Sequence, residues 1–315
     1  MKGWEFTTTN VPLKLVEKPD PVATEGRVVI EVKAAGLCHS DVGALRDEKW
    51  LNIIEKKPII MGHEVAGIIT EVGEGVTDFK VGDRVGVCPV SLVGMGPGYG
   101  YDGGYADKVS APAIDLVPIP DGVTFAQAAA GTDAGMTSYH AMFKRGGAKP
   151  GMKVAVIGIG GLGQIAARAA VVAGIEVHAV DVSPKARELA ESIGVKAVYQ
   201  DIKELADIAP DLIVDYAGFG TTTAGAIDVV APGGTVVLVG MGKLESTINT
   251  DPLILKAASL LGSVGGDKYD IAEVYKLMAS GDISPAITEI TFDEIGEGLG
   301  RLERHEVTGR LVAIM

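Results

Sequence analysis

The chain has 315 residues, room for two domains of ordinary size with a well-buried core in each. Its 47% apolar and 22% charged residues match a soluble globular protein, and no apolar run approaches the roughly 20 residues that cross a bilayer, which argues against a membrane partner. A formal net charge of −13, without any run of Lys and Arg, argues against nucleic acid.

In chain order, residues 27–34, 64–72, 82–88 and 105–110 read as short strands broken by Gly and Asp turns, such as Val72-Gly73-Glu74-Gly75 and Val81-Gly82-Asp83. This is the pattern of a β-rich domain. Within it, residues 91–104 hold six glycines, a proline and two tyrosines without periodicity and are expected to form a surface loop. From Val154 to Gly265 apolar strands alternate with helical stretches, as in a doubly wound parallel sheet with crossover helices. Strands are expected at 154–157, 177–180, 212–214, 235–239 and 260–264. One helix is fully punctuated, with Ser183 as N-cap, Pro184 at its first position and Gly194 where a left-handed residue ends it. A helix near 293–304 precedes a last strand at 309–314, expected to return to the first domain. The fold class is therefore α/β: residues 1–134 and 266–315 form a β-rich domain, and residues 135–265 a dinucleotide-binding domain. Two cysteines, Cys38 and Cys88, lack disulfide or zinc-ribbon spacing, and residues 1–6 lack the apolar core of a secretory signal, so a cytoplasmic setting is expected.

The most specific local signal is Gly158-Ile159-Gly160-Gly161-Leu162-Gly163, between the apolar run Val154-Ala155-Val156-Ile157 and a helix-forming stretch. Gly158 permits a tight turn, Gly160 lets backbone N–H groups approach a pyrophosphate, and Gly163 lets helix and strand pack closely. Asp181 follows the last glycine by 18 residues and ends the second strand, where an acid accepts hydrogen bonds from an adenosine ribose and repels a 2′-phosphate. NAD is favoured over NADP. In the β-rich half, Cys38-His39-Ser40-Asp41 and Gly62-His63-Glu64, with Asp133 further on, offer thiolate, imidazole and carboxylate, all zinc ligands. Their spacing alone does not decide the matter. Each has a plain structural reading: Cys38 as a small buried residue, His63 as a satisfied histidine, Asp133 as a helix cap.

Together, Gly36-Leu37-Cys38-His39-Ser40-Asp41, Gly62-His63-Glu64-Val65-Ala66-Gly67, Val81-Gly82-Asp83-Arg84-Val85 and the glycine turn resemble zinc-dependent alcohol dehydrogenases of the medium-chain dehydrogenase/reductase superfamily, over nearly the whole chain. The resemblance implies a GroES-like catalytic domain interrupted by a Rossmann domain, one catalytic Zn2+, NAD, and a small alcohol, aldehyde or ketone as substrate. It implies Cys38, His63 and Asp133 as zinc ligands, Asp133 standing where the family usually has a second cysteine. Glu64 matches a residue beside the metal that can ligate it transiently, Asp41 the residue that orients His63, and Ser40 the hydroxyl that takes the substrate proton. His39 and Arg310 match positions that approach the cofactor pyrophosphate, and Val239, Gly240 and Met241 the stretch that meets the nicotinamide carboxamide.

Two departures stand out. The family's relay histidine downstream of the hydroxyl residue is absent, Val42 and Gly43 lying in that region. The four-cysteine lobe that holds a structural zinc in many members is replaced by residues 91–104, so no second zinc is expected. A homo-oligomer, dimer or tetramer, is implied. A zinc-free quinone or enoyl reductase of the same superfamily and a non-enzymatic NAD-binding protein stand as alternatives.

Overall fold

A computed structural model describes all of residues 1–315. The chain forms two compact units: residues 1–133, 267–280 and 287–315, and residues 134–266 with 281–286. No helix is long and apolar enough to cross a membrane.

The first unit is built on a seven-stranded sheet whose longest member is Arg27–Leu37. The Val-Val-Ile-Glu-Val segment of that strand suits a pleated surface, and its apolar side chains Val28, Ile30 and Val32 are buried in the unit's core with Ile69, Val85 and Val109. Arg27–Leu37 pairs antiparallel with Glu64–Val72 on one side and with Arg310–Ile314 on the other. The last strand thus returns to the first unit. Register then does the positioning. Gly36 lies opposite Glu64, and Leu37 opposite Leu311, so Cys38, His63 and Arg310 arrive at the same end of three neighbouring strands. Gly36 is needed there: a Cβ on it would meet a Glu64 carboxylate oxygen at 1.7 Å.

The glycine-rich stretch is the expected surface loop only in its first part, where Leu92, Val93 and Gly94 are exposed. Gly96, Pro97, Gly98, Tyr99, Gly103 and Gly104 are buried. The amides of Gly103, Tyr105 and Gly104 donate to the carbonyls of Ile60, Met61 and Gly62 at 2.8, 2.9 and 2.7 Å, so the stretch is laced to the backbone that leads into His63. Absent side chains permit the approach, since a Cβ on Gly103 would stand 2.2 Å from the Gly62 oxygen. This lacing also explains why the strand expected from 105 begins at Lys108.

The second unit is a six-stranded parallel sheet in the spatial order Ala197–Tyr199, Glu176–Val180, Lys153–Ile157, Leu212–Asp215, Thr235–Leu238, Ser259–Gly262. By sequence that order is 3-2-1-4-5-6, the doubly wound arrangement whose turning point lies beside Lys153–Ile157. The helix Pro184–Ile193 has Ser183 accepting from the Ala186 amide and Gly194 at φ 91°, as the sequence pattern requires.

Residues 281–286 were expected in the β-rich domain but group with this second unit. Two side chains of the helix Gly163–Val172 hold them. Buried Gln164 accepts from the Ala286 amide at 2.7 Å and donates to its carbonyl at 3.2 Å, while Arg168 Nε donates to the Asp282 carbonyl at 2.6 Å. The Gln164→Ala variant leaves both Ala286 groups unpaired and should lose about 1–3 kcal/mol in urea unfolding, with faster amide exchange at Ala286.

Candidate metal centre and dinucleotide site

In the first unit, Cys38 ends the strand Arg27–Leu37 and caps the helix His39–Arg46, whose first turn carries Ser40 and Asp41. Asp41, fully buried, accepts from the Cys38 amide at 3.1 Å, pairs with His63 Nδ1 at 3.2 Å and accepts from the Tyr105 hydroxyl at 2.7 Å. A carboxylate on Nδ1 places a proton there and leaves the Nε2 lone pair pointing into the site. Asp133 lies in a π-helical turn, Gly131–Gly135, after the helix Phe125–Ala130, a widening of the kind often found at functional sites.

The donor set fits a zinc ion. Asp133 Oδ2 lies 3.6 Å from Cys38 Sγ and 3.4 Å from His63 Nε2. Tetrahedral zinc, with bonds of about 2.0–2.3 Å, holds such donors about 3.3–3.5 Å apart. The donor atoms of Cys38, His63, Glu64 and Asp133 all fall within 4.8 Å of one another. The electrostatics favour positive charge at this point. Burial opposes a charged His63 ring, but the Asp41 and Asp133 carboxylates outweigh it and raise its proton affinity well above the ordinary value.

Glu64 is engaged differently. Arg310 grips it with two nitrogens, Nε reaching Oε2 at 3.1 Å and Nη2 reaching Oε1, in a fully buried pair. Burial pushes the Glu64 carboxyl up to about 7 against the pull of Arg310. The same guanidinium stands 3.6 Å from Asp133 Oδ2, so one cation faces both acids. His39 stacks on His305, with ring centroids 6.0 Å apart. The sequence pattern did not single out Tyr99, whose ring lies against His63, Tyr105 on Asp41, or the bidentate Glu64–Arg310 pair. The two tyrosines sit in an aperiodic stretch, and the neighbouring glycines were the one sign that backbone approaches closely there.

In the second unit, Gly158 turns at φ 85°, and a Cβ on Gly163 would lie 1.8 Å from the Gly158 oxygen, whereas one on Gly160 would meet nothing within 4 Å. The amides of Gly160, Gly161 and Leu162 donate to no carbonyl of the chain and lie at the N-terminus of the helix Gly163–Val172, a cradle suited to a pyrophosphate. Asp181 accepts from the amides of Ile159 and Ser183, at 2.8 Å each, which binds the acid to the glycine turn. Val239 and Gly240 follow the strand Thr235–Leu238 and both donate to the Asp215 carbonyl at 3.0 Å, while Met241 is exposed.

The metal geometry has a direct check. Asp133→Cys should retain one zinc per chain by atomic absorption, because it restores a ligand of equal charge at the same point. Asp133→Ala and Cys38→Ser should lower zinc affinity by about 10-fold or more.

Comparison with known proteins agrees with both halves. Residues 24–121 match the alcohol dehydrogenase GroES-like domain and residues 161–280 the zinc-binding dehydrogenase family. An alcohol dehydrogenase of Geobacillus stearothermophilus is 34% identical over 95% of this chain and 95% of its own. Among solved structures, the acetophenone reductase of Geotrichum candidum, in complex with NAD, superposes with a TM-score of 0.91 at 29% identity, covering 100% of this chain and 97% of that one. The alcohol dehydrogenase of Aeropyrum pernix gives 0.91 at 28% identity, covering 100% of both chains. Likeness of this extent, with a zinc-spaced donor cluster and a dinucleotide turn, establishes that the chain belongs to the zinc-binding alcohol dehydrogenases of the medium-chain dehydrogenase/reductase superfamily.

Proposed function

We propose that in this NAD-dependent alcohol dehydrogenase Cys38, His63 and Asp133 hold the single zinc ion, and that small primary and secondary alcohols, or in reverse aldehydes and ketones, are its substrates. The observation that carries the reading is the spacing of the three donor atoms, with His63 Nε2 aimed at them by the bond from Nδ1 to Asp41. When bound, zinc eases loss of the alcohol's proton and NAD accepts the hydride. The residues of the chain do the rest. Ser40, in the first turn of the helix His39–Arg46, takes up the substrate proton. Glu64, buried beside the donors and neutralised by Arg310, stands ready as a fourth, transient ligand. Gly158, Gly160, Gly161, Leu162 and Gly163 cradle the pyrophosphate. Asp181 receives the adenosine ribose, and Val239, Gly240 and Met241 meet the carboxamide.

In this reading the first unit is the catalytic domain and the second the dinucleotide-binding domain. We also assign a cytoplasmic setting, in keeping with two buried cysteines that form no disulfide, and a homo-oligomer, dimer or tetramer. The outer edge of Ser259–Gly262 is unpaired and is accompanied by exposed Ile254, Leu255 and Val264, a combination that invites a second copy.

The test follows NADH absorbance with a panel of alcohols and ketones before and after chelation. Turnover should vanish with chelator and return with zinc. Chelator-resistant reduction of a polarised C=C bond would instead identify a zinc-free reductase, and tight NADH binding without any turnover a non-enzymatic protein. For the coenzyme, Asp181→Gly should weaken NAD use and reduce the preference over NADP by about ten-fold or more in kcat/KM. An unchanged ratio would remove Asp181 from the ribose site.

A further inference from the structure

Asp215 is a buried acid that neither the glycine turn nor the sheet accounts for. It ends the strand Leu212–Asp215 of the second unit and is fully enclosed. Burying a carboxylate is costly, and a strand can equally end on a neutral residue. Every group around this one donates. Oδ1 accepts from the amides of Ala217 and Gly218 at 3.0 and 2.8 Å, and Oδ2 from the hydroxyls of Thr222 and Thr223 at 2.8 Å each. The main-chain oxygen of the same residue accepts from the Val239 and Gly240 amides at 3.0 Å each. One residue therefore ties down the turn that follows it, the first turn of the helix Thr221–Val229 and the end of the neighbouring strand Thr235–Leu238.

The two loops that leave these strands are locked backbone to backbone. The Gly242 amide donates to the Ala217 carbonyl at 3.2 Å and the Lys243 amide to the Gly218 carbonyl at 2.8 Å. A Cβ on Gly218 would stand 1.8 Å from the Gly240 oxygen, and one on Gly240 would stand 2.4 Å from the Ala217 carbonyl carbon, so neither loop shifts without the other. Within that lock the Val239 carbonyl and the Met241 amide bond to no other backbone group. They lie beyond the carboxyl end of a strand, where doubly wound sheets take their ligands. An acceptor and a donor held two residues apart match an amide, whose NH2 donates and whose oxygen accepts.

We propose that Asp215 is a positioning residue for the nicotinamide: its carboxylate fixes the turn 217–223, its carbonyl fixes Val239 and Gly240, and the interlocked glycines make the two constraints one. The proposal rests on the assignment of Val239, Gly240 and Met241 to the carboxamide. Asp215 acts through the backbone alone and exchanges no proton. The carboxamide then meets groups already in place, and little of its binding energy goes into ordering two loops. That gain is what the buried acid is kept for.

The test compares NAD with ADP-ribose, which keeps the adenosine, the pyrophosphate and the second ribose but has no nicotinamide. In Asp215→Ala the dissociation constant for NAD should rise about ten-fold or more, the size of one hydrogen bond to a charged acceptor, while that for ADP-ribose stays within about two-fold. Asp215→Asn should recover most of the loss, because its Oδ1 serves the two amides and its NH2 donates to threonine hydroxyls that can reverse. Zinc content should match the parent in both. Should Asp215→Ala not fold, Thr222→Val combined with Thr223→Val keeps the carboxylate but strips Oδ2 of both donors, and a loss of about three-fold for NAD alone is expected. Equal losses of NAD and ADP-ribose in whichever variant folds, or an unchanged affinity for NAD, overturn the proposal. So does an Asp215→Asn as weak as Asp215→Ala. The carboxamide assignment has its own control in the parent, which should bind NAD about ten-fold or more tightly than nicotinic acid adenine dinucleotide, whose carboxylate offers the Val239 carbonyl no N–H. Without that preference the assignment falls and the proposal with it.

Discussion

The buried carboxylate of Asp41 is the interaction on which the catalytic half depends. It is fully enclosed, yet it binds three groups from three separate segments: the Cys38 amide, His63 Nδ1 and the Tyr105 hydroxyl. An enclosed carboxylate is tolerated only when its oxygens are occupied by donors, and here each donor belongs to an element that presents something to the metal centre. The Cys38 amide sets the thiol at the head of its helix, Nδ1 sets the tautomer of His63, and the Tyr105 hydroxyl ties down the glycine-rich stretch. Removing Asp41 would therefore unfix a ligand, an imidazole orientation and a loop at once.

Around that anchor the charges are arranged in neutral sets. A doubly charged cation held by Cys38, His63 and Asp133 would balance a thiolate and a carboxylate, with His63 as a neutral ring. Arg310 balances Glu64 in a buried bidentate pair. The residual charge is that of Asp41, spread over three hydrogen bonds. Buried ion pairs add little net stability when desolvation is counted, so the Glu64–Arg310 pair serves position more than stability. It keeps a carboxylate within 4.8 Å of the other donors while its own guanidinium partner holds it.

Where the sequence was legible, the signal was local. The helix Pro184–Ile193 declares both ends through Ser183, Pro184 and Gly194, because capping is a matter of a few neighbouring residues. The glycine turn and Asp181 were readable for the same reason, each lying at the end of an apolar run. The stretch 91–104 is exposed at 92–94 but buried at 96–99 and 103–104, because glycine signals either freedom or close approach, and what surrounds it decides which. Residues 281–286 attach to the second unit through Gln164 and Arg168, more than a hundred residues earlier, a link that local pattern does not carry.

Residue order by itself determined the two-part architecture, the dinucleotide turn, the preference for NAD and the identity of the candidate ligands, since each is written in short-range pattern and residue chemistry. Only the tertiary structure decided that the donor atoms of Cys38, His63 and Asp133 come together, that Arg310 is spent on Glu64, and that Tyr99 lies against His63 and Tyr105 on Asp41. The meeting of Cys38, His63, Glu64 and Arg310 depends on strand register, Gly36 opposite Glu64 and Leu37 opposite Leu311, and a register shifted by one residue would have sent the same side chains to opposite faces.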